Sequence, residues 1–257
     1  MLSNKNQNHQ PIVGVSACLA GEKVRYDGGD KLHDALFKTL SPHATLKPFC
    51  PEVAAGFGVP RSPIGLQTSS RSTMADFKAR AVVMTGKEAG KDVSDEITKV
   101  AVQFLNDLDF QPLCGFVFKS RSPSCGLGST SIHLIRHAKQ TVPGTKDRTD
   151  EAGNGLFANV ISNQASQVIC VEESWLTTAA RHYQFLSACY LVFYYFYRGP
   201  VDSRLLSLLN ITDEDLANPK KMFGHIKKLI AKNTKVAHLE RLCDFWTSRI
   251  GNDSRDS

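Results

Sequence analysis

None of the seven cysteines stands in a CxxC pair, which argues against a zinc ribbon. The opening stretch, MLSNKNQNHQ, lacks the apolar core of a secretory leader. No apolar run reaches the ~20 residues that span a bilayer; Phe185 to Tyr197 comes closest and contains Ser187. Internal repeats and low-complexity blocks are missing, so solenoid and collagen readings fall away. Neither charge sign dominates: 31 Lys and Arg face 25 Asp and Glu, a net charge of +6. That mild excess permits an anionic ligand such as a nucleotide without demanding DNA or RNA. What remains is a globular composition, 42% hydrophobic and 22% charged over 257 residues. A reducing, cytoplasmic setting is expected, where cysteines serve thiolate chemistry or plain burial instead of disulfides. No membrane association is expected, and nothing in the sequence sets the oligomeric state.

Residues 1–10 read as a flexible tail. Pro11 to Ala17 is an apolar run with the look of a buried strand. Lys31 to Leu40 puts Leu32, Leu36 and Leu40 on one helical face. Leu46 to Phe49 and Ala79 to Met84 are further strands. Ser94 is placed to cap a helix with Asp95 and Glu96 in its first turn. Ile97, Val100, Ala101, Phe104, Leu105 and Leu108 then recur at helical spacing. Leu113 to Lys119 is a strand, 136–154 a polar loop, Leu156 to Ile161 a short helix, and Gln167 to Val171 a last strand. Alternating strands and helices predict an α/β domain over 11–174 with a mostly parallel open sheet and flanking helices. An all-α C-terminal annex over 175–257 follows. It has one long helix from Trp175 to Tyr197, a helix capped by Asn218 with Pro219 first, and a last helix from Val236 to Ile250. The aromatic run Tyr190 to Tyr197 is expected to pack that annex on the sheet.

Three cysteines share one context. Cys18 ends the first strand in SACLAGEKVRYDGG, Cys50 ends the second in FCPEVAAGFGVPRSP, and Cys125 follows the fourth in FKSRSPSCGLG. In open α/β sheets ligands sit beyond the carboxyl ends of the strands. Three cysteines at three such ends would converge, although they lie far apart in sequence. Two readings fit: ligands of a metal or iron–sulfur cluster, or small buried hydrophobes. Three soft ligands without a fourth suit a 4Fe–4S cluster with one open iron better than structural zinc, which closes its site with four. Cys114, Cys170, Cys189 and Cys243 sit in strands or on apolar helix faces and read as core.

SACLAGEKVRYDGG, CPEVAAGFGVPRSPI and KSRSPSCG together resemble the thiouracil desulfidases, a bacterial family formerly of unknown function, over roughly residues 11–173. The resemblance implies a 4Fe–4S cluster held by Cys18, Cys50 and Cys125, with one iron free. It implies sulfur removal from a 2- or 4-thiouracil compound, as base, nucleoside or nucleotide, without net redox change. The family's catalytic glutamate and serine fall on Glu52 and Ser122. A carboxylate two residues from a ligand suits a general base for water and then a general acid. A hydroxyl three residues before a ligand suits a hydrogen bond to the pyrimidine or to that water. Their structural alternatives are a helix cap for Glu52 and a turn hydroxyl before proline for Ser122.

Asp27, Arg61 and Lys119 are candidate substrate contacts; a turn cap for Asp27 and ion pairs for the other two are the structural alternatives. Arg25 is in the same position, and Ser124 reads as a turn residue. Two other functions are open. A redox or electron-transfer protein would carry a fully ligated cluster, so a fourth cysteine near the other three, Cys114 first, would favour it. An RNA-binding module would show a basic stripe over 219–232 and 236–250. Lys220, Lys221, Lys227, Lys228 and Lys232 recur there, but equally suit a solvent face. Thiolated RNA is then a possible partner beside a small thiolated uracil. The annex and the polar stretch 136–154 fall outside the family pattern.

Overall fold

Ile12-Val-Gly-Val is an unbroken apolar run because both faces of its strand are covered, and all five residues of Ile12–Ser16 are buried. The computed structural model describes residues 10–68, 79–108, 113–134, 151–165 and 167–193, with a few positions between 197 and 224. In chain order the elements are β1 (Ile12–Ser16), α1 (Asp34–Leu40), β2 (Thr45–Phe49), α2 (Pro51–Ala54), β3 (Ile64–Thr68) and β4 (Arg80–Val83). They continue with α3 (Ser94–Asn106), β5 (Leu113–Phe118), β6 (Thr130–Leu134), β7 (Glu151–Gly153), α4 (Leu156–Gln164), β8 (Ile169–Glu172) and α5 (Ala179–Phe193). The first sheet has the order β2-β1-β5-β8 and is parallel throughout. Its strand order reverses between β1 and β5, which is where open α/β sheets place ligands. The fold is the expected α/β architecture with a parallel sheet flanked by helices.

A second sheet, β4-β3-β6-β7, was not legible. Its β3–β6 pair is parallel and its outer pairs are antiparallel. Ile64-Gly-Leu-Gln-Thr and Thr130-Ser-Ile-His-Leu mix polar residues into short stretches, so no apolar run marks them. Glu151–Gly153, read as loop within 136–154, is a three-residue edge strand; residues 135–150 lie outside the described residues. Two helix starts also differ. Leu32 is 56% exposed because α1 begins at Asp34, with His33 Nδ1 accepting from the Leu36 amide. Ser94 is the first residue of α3 and not its cap: Asp92 Oδ1 accepts its amide at 3.0 Å and its hydroxyl at 2.6 Å.

The parallel sheet is sandwiched. On one face Ile12, Phe116 and Phe118 meet Ile97, Ala101 and Phe104 of α3 and Phe157 of α4, together with Leu66 and Ile132 of the second sheet. Phe116 and Phe118, two apart and so on one face, stack at 4.3 Å. Gly14 leaves the space that the Phe116 ring fills, since a Cβ there would lie 2.3 Å from it. On the other face Val13, Val15, Val117 and Val171 meet Leu36 and Leu40 of α1 and the buried run Phe185 to Phe193 of α5. Gly115 lets α5 lie flush, because a Cβ would meet Cys189 Sγ at 2.5 Å. The expected packing of the aromatic run is seen for Tyr190 and Phe193, and the Tyr190 hydroxyl donates to the His43 carbonyl at 2.6 Å.

The long helix expected from Trp175 starts at Ala179. Asn218 Oδ1 accepts from the Lys221 amide as a cap would, while Pro219 and the helix expected at 236–250 lie outside the described residues. Among the described residues, no helix is long and apolar enough to cross a membrane.

His182 ties α5 to α1. Its Nε2 lies 3.0 Å from the Leu176 carbonyl, which only accepts, so that nitrogen carries the proton. Nδ1 lies 3.2 Å from the Thr39 hydroxyl oxygen. Burial, and next to it the nearby His33, lowers its pKa below the ordinary 6.5. The unfolded chain therefore binds a proton that the folded chain refuses. Stability rises with pH between the lowered value and 6.5, and falls as pH drops through that window. Urea midpoints measured from pH 7 to pH 5 should fall for the wild type, and His182→Gln should flatten that slope.

Candidate active site

The three cysteines arrive by three routes. Cys18 lies in a single 3-10 turn, Ala17–Ala20, that ends on Gly21 in the left-handed region at φ 87°. Cys50 is the cap position of α2, with Pro51 at the first helical residue, where a missing N–H costs little. Cys125 sits in the loop between β5 and β6. All three line one cavity of about 290 Å³ at the carboxyl ends of β1, β2 and β5, together with Glu52, Arg61, Lys119 and Ser122. Burial pushes the Cys18 thiol up to about 11, with the neighbouring Cys50 adding to it. Burial likewise raises Cys50, and raises Cys125 well above the ordinary range, with Cys50 and Cys18 as further causes. Cys18 and Cys125 thus feel neighbouring thiols, and a metal centre would have to displace the thiol protons.

Glu52 follows Cys50 into the first turn of α2. Arg61 Nε and Nη2 each lie 2.8 Å from Glu52 Oε2, and Nη1 donates to the Gly58 carbonyl at 2.9 Å. The Arg61 side chain is 6% exposed, so its guanidinium is given to Glu52 and to its own loop, where the sequence suggested a substrate contact. The other oxygen, Oε1, accepts from the Ser124 hydroxyl at 2.9 Å. Ser124, read as a turn residue, is 1% exposed and touches the candidate base directly. The S-x-S alternation of SPSC was the one available signal for it.

Ser122 Oγ accepts from the amides of Ser124 at 3.3 Å and Cys125 at 3.1 Å. Those amides use the two lone pairs of a hydroxyl, which leaves its hydrogen to donate elsewhere. The turn role and the functional role of Ser122 are therefore compatible.

The Cys125 loop is held from three sides. The amides at the start of α4 have no side-chain cap, and the loop supplies acceptors in its place. Gly155 N donates to Gly126 O at 2.7 Å, Leu156 N to Pro123 O and Ala158 N to Ser124 O at 3.1 Å each. At the end of β8, Glu172 Oε1 accepts from Leu127 N at 2.6 Å and from the Ser129 hydroxyl. Glu173 accepts from Ser120 N at 2.6 Å and from Lys119 Nζ at 2.5 Å. Burial opposes the charge of Glu173, but Lys119 and Ser120 outweigh it and lower its pKa. Lys119 thus lines the cavity while spending its ammonium on Glu173 and Ser120. Glu172 and Glu173 were missed, although the strand-end rule that selected the cysteines also selects them.

Asp27 is not among the cavity-lining residues. Its half-exposed carboxylate accepts from Gly29 N at 3.0 Å and pairs with Arg25 at 3.6 Å, as a turn cap does. The Gly29 amide is the main cause of its lowered pKa. Cys114 is fully buried at the amino end of β5, where it is the extra residue of a register shift between Leu113 and Gly115. Four residues at ~3.3 Å each put it about 13 Å from the carboxyl end of that strand. It is absent from the cavity wall, so it does not supply the fourth ligand of a closed centre. Cys189 is core, Cys170 is partly buried, and Cys243 lies outside the described residues. Among the described residues, no group of three or more His, Cys, Asp or Glu side chains is gathered as a single-ion site. What the cavity wall does offer is the donor chemistry of an iron–sulfur centre, three cysteine thiols.

Gly155 seats the loop against α4. A Cβ there would lie 2.5 Å from the Ser124 carbonyl carbon and 2.8 Å from the Ser122 carbonyl oxygen, both backbone atoms that cannot swing aside. Gly155→Ala should destabilise the fold by about 1–3 kcal/mol, as overpacking does, measured by denaturant titration.

An uncharacterized Bacillus subtilis (strain 168) protein, YbbK, is 27% identical over 117 residues, 46% of this chain and 74% of that protein. A solved structure of TudS, a 4Fe–4S-dependent thiouracil desulfidase, is 30% identical with a TM-score of 0.44, covering 63% of this chain and 90% of that one. The family model for 2-thiouracil desulfurase matches residues 13–173, a span that holds every cavity residue named above. The chain belongs to the 2-thiouracil desulfurase family.

Proposed function

We propose that this chain hydrolyses the C=S bond of a thiolated uracil, as base, nucleoside or nucleotide, giving the oxygen analogue and sulfide with no net electron transfer. The observation that carries the reading is the meeting of Cys18, Cys50 and Cys125 with Glu52 and Ser122 around one cavity, in a chain of this family. Cys18, Cys50 and Cys125 are assigned as the protein ligands of a 4Fe–4S cluster, the cofactor named for TudS. Three thiolates leave one iron without a protein ligand. When bound, such a cluster supplies a soft Lewis-acidic iron suited to a thiocarbonyl sulfur.

The chain's own groups account for the proton traffic. Glu52 takes a proton from the water that attacks the thiocarbonyl carbon. Glu52 passes that proton to the sulfur as the C–S bond breaks and then takes the remaining hydroxyl proton as the new C–O bond becomes a carbonyl, so hydrosulfide leaves first and the second proton completes hydrogen sulfide. Water plus thiocarbonyl thus gives carbonyl plus hydrogen sulfide, with atoms and electrons balanced. The Ser122 O–H, its lone pairs taken by two amides, donates to the exocyclic carbonyl oxygen of the pyrimidine and orients it. Phe49 and Ile64 form apolar wall, which limits bulk water around the reacting carbon.

Anaerobic reconstitution should give broad cluster absorbance with matching iron and sulfide counts. Cys18→Ser, Cys50→Ser or Cys125→Ser should each abolish it; normal iron binding in all three would withdraw the ligand assignment. Glu52→Gln should keep the cluster while sulfide release from thiouracil falls by about 10²–10⁴-fold. Full activity in that variant would move the base elsewhere. The same assay run on free base, nucleotide and thiolated RNA ranks the substrates.

A further inference from the structure

Glu52 carries four acceptor positions, two on each carboxylate oxygen. Arg61 Nε and Nη2, both at 2.8 Å, fill the two on Oε2. The Ser124 hydroxyl at 2.9 Å fills one on Oε1. Among the described residues, a single acceptor position on Oε1 is left over. Both partners are themselves fixed. Arg61 donates its backbone amide to Tyr26 O at 2.9 Å and Nη1 to Gly58 O. Ser124 gives its amide to Ser122 Oγ and its carbonyl to the Ala158 amide.

We propose that Ser124 is a positioning residue for Glu52: together with Arg61 it locks the carboxylate so that one lone pair, on Oε1, is the site that receives the water proton. This rests on the reading of Glu52 as general base. The bond also joins two cysteine-bearing loops, since Ser124 precedes Cys125 and Glu52 lies two residues beyond Cys50. Without the Ser124 hydroxyl, Oε1 has two open positions and the carboxylate is anchored on one side only, free to swing about the Arg61 contact. Misplacement of a reacting group by about 1 Å costs on the order of 10²-fold in rate.

The test compares Ser124→Ala, Ser124→Cys, Glu52→Gln and the double variant Ser124→Ala/Glu52→Gln in reconstituted protein. Ser124→Ala should keep its iron and a KM within about twofold of wild type while kcat falls about 10–100-fold. Ser124→Cys keeps the bulk with a weaker donor, so its kcat should fall between the two; it carries the test if the alanine variant fails to fold. Adding Ser124→Ala to Glu52→Gln should cost nothing more, because the two act as one unit. A fully additive double variant, an unchanged kcat with a raised KM, or activity lost only in proportion to lost iron would overturn the proposal. Undiminished activity of Glu52→Gln would instead overturn the reading of Glu52. As a readout apart from turnover, urea unfolding of the same set without cluster should show the Ser124 and Glu52 effects to be coupled.

Discussion

The uncapped start of α4 is the constraint on which the site rests. A helix leaves its first amides unsatisfied, and buried amides must find acceptors. Here those acceptors are the carbonyls of Pro123, Ser124 and Gly126, so the helix and the Cys125 loop complete each other. Gly155 makes the approach possible by having no side chain. Every functional group on that loop inherits its position from this contact: Ser122 with its hydrogen left to donate, Ser124 against Glu52, and Cys125 toward the other two thiols. Loops carry chemistry best when a rigid element sets their backbone, and α4 is in turn packed against α3 in the core.

The charges around the cavity follow the same economy of freedom. Each nearby carboxylate has a cation or a set of amides assigned to it: Glu52 has Arg61, Glu173 has Lys119 and Ser120, and Glu172 has the Leu127 amide with two hydroxyls. Burying a charge without such partners is expensive. The arrangement leaves the thiols as the groups that burial penalises if they ionise, which is the state a soft metal centre would relieve.

Much of this was readable from the chain. β1, β5 and β8 have apolar runs bounded by Gly, Pro or polar residues, and covered parallel strands show that pattern, whereas β2 is a half-exposed edge strand marked only by Leu46 and Phe49. The strand-end rule then put Cys18, Cys50 and Cys125 together. β3, β6 and β7 were not readable, since they are short, carry polar residues on the outer face and gain their stability from pairing with partners remote in sequence. Among the site residues, sequence alone could not divide Arg61 and Lys119 between substrate and ion pair, because that depends on which carboxylate the fold delivers. Glu52 reached Arg61 through the turn after α2, and Glu173 reached Lys119 across adjacent strand ends. Ser124 escaped notice because a serine beside a proline has an adequate local explanation. Its cross-loop bond spans 72 residues.

Gly115, with no side chain facing α5, has a consequence for where the polypeptide becomes self-sufficient. The family model matches to residue 173, yet one face of the parallel sheet is covered by side chains from Phe185 to Phe193 together with Leu36 and Leu40 of α1. A chain ending at the last matched residue would leave Val13, Val117 and Val171 against water. It would also undo the aqueous shielding of strands whose far ends present the thiols. The stretch matched by the family model thus leans on a helix outside it, and α5 is part of what makes the sheet beneath the thiols a solid.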